Sequence, residues 1–306
     1  MHICVFGAGS LGSLVGGVLA SDHEVTLVGR NPHMRNVREN GLRVTGEFDR
    51  HVFPVAATDP PASADLAVVT VKSFDTRAAA SALDDIDLDG VLSLQNGMGN
   101  EERLAAALDC PVLAGTCTYG ARLADSGAVE CTGVGDVVLG PREGGSSELA
   151  ERVGAAFCES GFETTVAEDM PRRLWEKLAV NAGINAVTAL ARVPNGALVD
   201  GPAREVAATA ARETAQVARA AGVDLDGDHA AERTLAVAEA TAPNTSSMHQ
   251  DVLAGKRTEV DAINGYVVEN ADESVPVNET LAGLVRAWEQ GQGVRKHRDS
   301  TNSRSV

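Results

Sequence analysis

Met1-His-Ile-Cys-Val-Phe-Gly7-Ala8-Gly9-Ser10-Leu11-Gly12 decides the fold of this chain. A short apolar run enters a glycine-rich turn, and Leu14, Val15, Val18 and Leu19 then recur at helical spacing. Strand, tight turn and helix in that order give G-x-G-x-x-G its meaning, because each glycine then has its own duty. Gly7 permits the turn, Gly9 lets the backbone approach a pyrophosphate, and Gly12 lets helix and strand pack closely. The first N–H groups of the helix lack partners within it and can meet an anion. Residues 7–12 are therefore expected to bind a dinucleotide, against the plainer reading of a glycine-rich turn.

The second apolar run, Glu24-Val-Thr-Leu-Val28, ends at Gly29-Arg30-Asn31. An NAD site places a carboxylate at the end of this strand, on the ribose 2′-hydroxyl. A guanidinium suits a 2′-phosphate through planar, charge-assisted bonds. Arg30, with His33 and Arg35 close behind, favours NADP(H) over NAD(H); a solvated surface arginine is the alternative. Lys72 follows the apolar strand Leu66-Ala-Val-Val-Thr-Val71. It thus stands at a carboxyl strand end, where the ligand crevice of such sheets opens.

Strand-like runs recur at 3–6, 25–28, 66–71, 91–94 and 112–115, with helical stretches between most of them. This alternation predicts βαβ units and a parallel sheet. Runs at 128–131 and 136–139 flank Thr132-Gly-Val-Gly135 and read as a hairpin. A helix near 146–160 and a strand at 163–166 complete this part. Beyond about Pro171 strand signals vanish, and helices are expected over 172–189, 202–221, 229–240, 246–253, 258–270 and 277–290. The fold class is thus an α/β Rossmann-type parallel-sheet domain over 1–168, followed by an all-α substrate and dimerisation domain over 169–291. The polar residues 292–306 are expected to form a flexible tail.

Asp and Glu number 43 against 26 Lys and Arg, a net charge of −17, and only Lys72, Lys177, Lys256 and Lys296 are lysines. Concentrated salt screens the self-repulsion of such a surface, so the composition predicts a halophilic protein, with an ordinary acidic mesophile protein as the alternative. It also argues against nucleic acid or an anionic membrane as partner. No apolar stretch reaches the roughly 18 residues of a membrane span. The N-terminus lacks a basic leader, and a cytoplasmic location is expected. The five cysteines form no C-x-x-C pair and read as reduced thiols. The seven histidines show no ligand spacing, so no metal is expected.

Polar groups also recur in four places where a core or a loop would not need them. Lys177, Asn181 and Asn185 are spaced i, i+4, i+8 and share one helix face flanked by Leu174 and Leu178. That face is either a substrate wall or a solvated stripe. Pro243-Asn244-Thr-Ser-Ser247-Met-His-Gln-Asp251 opens a helix with capping side chains, a place suited to a carboxylate. Lys256-Arg-Thr-Glu259-Val-Asp-Ala-Ile-Asn-Gly265 resembles a capping box through Thr258 and Asp261, which leaves Glu259 without a structural duty unless it serves as a favourable charge at the helix N-terminus. Gln95-Asn96-Gly97 follows a strand, where amides can meet a nicotinamide or ribose.

In combination and in this order, these motifs resemble the ketopantoate reductase family over about residues 1–290. The resemblance implies that Lys177 is the general acid for the keto oxygen and that Glu259 binds the substrate hydroxyl and orients Lys177. It implies that Asn181, Asn185 and Asn244 line the substrate site and that Ser247 holds the carboxylate. Asn96 would stand near the nicotinamide, while Arg30 and Lys72 would hold the 2′-phosphate of NADPH. The implied substrate is 2-dehydropantoate, and a homodimer is compatible with the resemblance. The alternatives are a related dehydrogenase of another 2-oxo or 3-hydroxy acid, and a non-catalytic NADP(H)-sensing regulator.

Overall fold

The computed structural model describes residues 1–295 and divides into two compact units, Met1–Leu174 and the described residues from Trp175 onward. The division falls inside one helix, six residues or so beyond the boundary read from the sequence.

Unit one opens with β1 (His2–Phe6), α1 (Ser10–Leu19), β2 (Glu24–Val28) and α2 (His33–Asn40). Four strands follow: β3 (Leu42–Gly46), β4 (Arg50–Val52), β5 (Val55–Ala57) and β6 (Ser63–Val69). Then come α3 (Thr76–Leu83), β7 (Asp87–Ser93), α4 (Asn100–Ala105), β8 (Val112–Cys117), β9 (Gly120–Asp125) and β10 (Ala128–Gly133). β11 (Val137–Pro141), α5 (Glu148–Glu159) and β12 (Thr164–Val166) complete it. The eight-stranded sheet runs β12-β11-β8-β7-β6-β1-β2-β5, and only β11 against β8 is antiparallel. β1 lies between β2 and β6, so the chain order reverses at its carboxyl end. That end is where an open α/β sheet leaves a crevice for a ligand.

A four-stranded sheet, β4-β3-β10-β9, lies on the far side of α1. The helix is therefore buried between two sheets, from Gly12 to Leu19 without a break. Adjacent glycines make room on each side. A Cβ at Gly16 would overlap Leu27 of the large sheet, while one at Gly17 would lie 2.6 Å from Val44 of the small one. This explains why the α1 sequence is apolar all round.

The hairpin expected across 132–135 is not formed. The turn lies at Ser126 and Gly127 instead, where Gly127 has φ +81, and β10 pairs back on β9. β11 pairs with β8 in the other sheet. The two strand pairs are one long ribbon with a corner at Thr118, whose amide donates to the Asp136 carbonyl over 3.0 Å. A two-residue period cannot reveal such a corner, because side chains keep alternating through it.

Unit two is helical: α6 (Met170–Ala191, which begins in unit one), α7 (Arg204–Ala220), α8 (Gly227–Ala240), α9 (Ser247–Leu253), α10 (Asn264–Glu269) and α11 (Pro276–Gly291). The continuous helix expected over 258–270 is instead a 3₁₀ turn, Val260–Ala262, and then α10, separated by Ile263 at φ −109, ψ −99. Of the tail expected to be flexible from residue 292, Arg295 is held by ion pairs to Glu289 and Asp261, and residues 296–306 lie outside the described residues.

Candidate functional site

The cofactor candidates lie in unit one, around the carboxyl end of β1. Gly7 has φ +114, and a Cβ there would sit 2.7 Å from the Val71 nitrogen. Both Gly7 and Ala8 donate to the Val28 carbonyl, at 3.0 and 2.9 Å, which clamps the turn onto β2. A Cβ at Gly12 would overlap the Gly7 carbonyl and the Thr70 hydroxyl, so helix and turn touch there. Thr70 donates to that same carbonyl at 2.9 Å. Gly9 differs from both. Its Cβ would find nothing nearer than 3.9 Å, so no internal contact demands a glycine at this exposed position. The space is open towards solvent, as a pyrophosphate cradle requires.

The start of α1 carries no side-chain cap and no acidic residue in its first turn. Its unpaired N–H groups and positive helix end suit a phosphate anion. Leu11 packs on the core, and the Ser10 hydroxyl accepts the Leu123 N–H at 3.2 Å, so these two side chains serve the fold. What this loop offers an anion is therefore backbone, not side chain.

Arg30 stands just past β2 with its side chain 91% exposed, and its guanidinium lies 3.3 Å from Asp75. Asp75 ends the 3₁₀ turn Ser73–Asp75, which begins directly after Lys72. Arg30 and Lys72 thus stand at the ends of the two strands flanking β1. Asp75 was not singled out in the sequence, since a short turn leaves no periodic signal.

Asn96 and Gln95 part company. Gln95 is buried and donates to the Val71 carbonyl at 3.0 Å and to the Thr76 hydroxyl at 2.8 Å. It joins the loop carrying Lys72 to the end of β7, so it braces the site and does not face a ligand. Asn96 is half-buried, and its carbonyl accepts from Asn100 at 3.1 Å.

His33 is a second brace. It is buried, its Nδ1 accepts the Gly127 N–H at 2.9 Å, and its Nε2 lies 2.9 Å from the Ser13 hydroxyl. Because Nδ1 accepts, the ring is neutral with its proton on Nε2. Burial pushes its pKa below the ordinary 6.5.

The substrate candidates all lie in unit two, three of them on α6. Lys177 and Asn181 are half-buried and Asn185 is buried on this helix. Thr188, one turn on, pairs with the Ser246 hydroxyl at 2.7 Å, and Ser246 caps α9 by accepting the His249 N–H at 3.2 Å. Ser247 and Asn244 flank Ser246 and are exposed. Asn244 also offers its carbonyl to the Asn195 N–H at 3.0 Å.

Glu259 is 5% exposed, an unusual position for a carboxylate. Nearby, Asn264 donates to the Ala182 carbonyl at 3.1 Å, tying the segment after Glu259 to α6 between Asn181 and Asn185. The expected capping box is absent. Thr258 gives both its N–H and its hydroxyl to Glu289 at 2.7 Å each, and Asp261 takes Arg286 at 2.8 Å and Arg295 at 2.6 Å. The partners that replace the box lie some 25 to 34 residues away in the sequence, beyond the reach of a local pattern. Burial alone would raise the Asp261 carboxyl, but the Arg295 and Arg286 guanidiniums outweigh it and hold it below its usual range.

Two family profiles, ketopantoate reductase PanE/ApbA and its C-terminal part, match residues 3–144 and 169–289. The 2-dehydropantoate 2-reductase of Halobacterium salinarum is 48% identical over 299 residues, covering 94% of this chain and 98% of that one. The chain belongs to the ketopantoate reductase family. The PanE/ApbA family ketopantoate reductase from Ralstonia eutropha JMP134 superposes with a TM-score of 0.88 at 34% identity, over 96% of this chain and 100% of that one. D-mandelate dehydrogenase, solved with NADH and anilino(oxo)acetate, superposes with a TM-score of 0.89 at 25% identity, over the same shares. The ketopantoate reductase fold therefore also serves an enzyme of another substrate, bound there to NADH.

Proposed function

We propose that this protein reduces 2-dehydropantoate to D-pantoate, with NADPH as reductant, on the route to coenzyme A. One observation carries the reading: Lys177, Asn181 and Asn185 share α6, and both the 244–247 and 258–265 segments are tied to that same helix. An amine, amides, a hydroxyl and a buried carboxylate so arranged suit a small polar 2-oxo acid.

When bound, the dihydronicotinamide supplies a hydride to the carbonyl carbon. The Lys177 ammonium donates an Nζ proton to the keto oxygen as negative charge grows there, which yields the hydroxyl. Glu259 accepts a hydrogen bond from the substrate's own hydroxyl and holds Lys177 in place. Asn181, Asn185 and Asn244 bond the polar edges of the substrate, and Ser247 donates to its carboxylate. The backbone of Gly7, Ala8, Gly9, Ser10, Leu11 and Gly12 would hold the pyrophosphate, Asn96 would stand at the nicotinamide end, and Arg30 and Lys72 would pair with the 2′-phosphate. The net charge of −17 fits a protein at home in concentrated salt.

A second reading is an NADH-dependent reductase of another 2-oxo acid. It is favoured by Asp75, a carboxylate beside Arg30 that can meet a ribose hydroxyl. Oxidation of NADPH and NADH with a panel of 2-oxo acids, in dilute and in molar KCl, separates the two. The first reading expects the highest kcat/KM with NADPH and 2-dehydropantoate. A clear preference for NADH and an aromatic 2-oxo acid supports the second, and cofactor binding without any turnover contradicts both.

A further inference from the structure

Arg295 lies beyond the last helix, far in sequence from every candidate site residue, yet it is well anchored. α11 ends at Gly291, and Gly293 has φ +68 with open space around its missing Cβ. Gly293 is thus there for the left-handed turn, not for packing. The turn brings the Val294 N–H back to the Glu289 carbonyl at 3.0 Å and so reverses the chain. Arg295 is thereby delivered onto its own helix, with its side chain only 18% exposed.

Its guanidinium then joins two carboxylates. Nε donates to Glu289 at 2.6 Å, and a terminal nitrogen donates to Asp261 at 2.6 Å. Glu289 has no exposed surface, and its other oxygen receives the Thr258 N–H and hydroxyl. Asp261 is further held by Arg286 and Arg257 at 2.8 and 3.3 Å. Thr258 and Asp261 bracket Glu259 on either side. Both ends of the short segment that presents the Glu259 carboxylate are therefore joined by one arginine, with Arg286 and Arg257 adding to the Asp261 end.

A buried Glu289 bonded only to neutral Thr258 groups would carry an uncompensated charge. Arg295 supplies the countercharge, and its fork spans two carboxylates in a way that a lysine ammonium cannot. The α11 end is closed by backbone bonds within residues 288–295, so the side chain of Arg295 is not explained by helix termination.

We propose that Arg295 is a positioning residue: through Glu289 and Asp261 it fixes the 258–261 segment and so aims Glu259 at the substrate. This rests on the reading of Glu259 as the group that binds the substrate hydroxyl. A displacement of about 1 Å in such a group costs up to about 100-fold in rate or affinity.

The test is steady-state kinetics on the full chain with Arg295→Ala, Arg295→Lys, Glu259→Ala and the Arg295→Ala/Glu259→Ala pair. Arg295→Ala is expected to raise KM for the 2-oxo acid about 10- to 100-fold, with KM for NADPH unchanged. Arg295→Lys should recover part of the loss. The double variant should be no worse than Glu259→Ala alone, because both act through one carboxylate. A purely structural role would lower the folded fraction and leave both KM values alone. If Arg295→Ala does not fold, Gly293→Val takes its place, since it keeps every charge and spoils only the turn. An unchanged oxo-acid KM in folded Arg295→Ala or Gly293→Val, with KM raised in Glu259→Ala, overturns the proposal alone. An unchanged KM in Glu259→Ala overturns the reading of Glu259 and the proposal with it.

Discussion

The Arg30 guanidinium lies 3.3 Å from the Asp75 carboxylate, across the glycine turn from one flanking strand end to the other. The pair is exposed, so it contributes at most about 1 kcal/mol and does not lock Arg30 away from a ligand. A phosphate dianion offers Arg30 more charge and more acceptor oxygens than Asp75 does. Arg30→Asp is therefore expected to weaken NADPH by roughly 1.5–3 kcal/mol, the scale of one hydrogen bond to a charged group, and NADH far less. Asp75→Asn should strengthen NADPH by removing a competing carboxylate. Cofactor titration checks both, and an NADPH/NADH ratio untouched by either change removes Arg30 from the phosphate site.

The three glycines of the turn should separate fold from function. Gly9→Ala meets no internal atom within 3.9 Å, so the protein should keep its thermal stability and lose cofactor affinity. Gly12→Ala drives a methyl group into the Gly7 carbonyl and the Thr70 hydroxyl, so it should lose stability by about 1–3 kcal/mol, as overpacking does. Melting curves with and without NADPH distinguish them. Equal melting temperatures for the two variants would count against this division of labour.

Acid should loosen the small sheet through His33. Its folded pKa is depressed below 6.5 by burial, so the unfolded chain binds the proton more readily. The contribution of the neutral ring is full above about 6.5 and declines as the pH falls towards the folded pKa. A protonated Nδ1 would point a donor at the Gly127 N–H, which now donates to it. Denaturant melts from pH 8 to pH 5 on wild type and His33→Asn give the contrast. The variant should be less stable at pH 8 and should lose less on acidification; parallel curves would show that His33 does not titrate in this way.

Salt is expected to stabilise the protein. With a net charge of −17, surface repulsion falls as the screening length shrinks from about 10 Å at 0.1 M to about 3 Å at 1 M. The melting temperature and the activity should both rise from dilute buffer to molar KCl. A flat or falling melting temperature would show that the acidic coat does not govern stability.

Most of the large sheet was legible because its strands are apolar runs at βαβ spacing, and residues 7–12 carry a steric code that Gly7 and Gly12 obey atom by atom; its three-residue edge strand Val55–Ala57 and the pairing of β11 with β8 were not. The small sheet was not. Its strands are three to six residues long, and its partners come from both ends of unit one, β3 with β10. One trace of it was available: Gly17 beside Gly16 in a helix with no polar face. In unit two the chemistry-bearing side chains on α6 showed as a helical stripe. The devices that hold them did not, since Thr188 meets Ser246 across 58 residues and Thr258 meets Glu289 across 31.

The most direct test of the account is single-turnover and steady-state reduction of 2-dehydropantoate by Lys177→Ala, with NADPH binding measured on the same preparation. kcat is expected to fall about 10²–10⁴-fold, the reach of general acid catalysis, while the protein stays folded and binds NADPH as wild type does. A near-normal kcat in folded, NADPH-bound Lys177→Ala would contradict it, because the proton would then come from elsewhere and the α6 face would lose its assigned role.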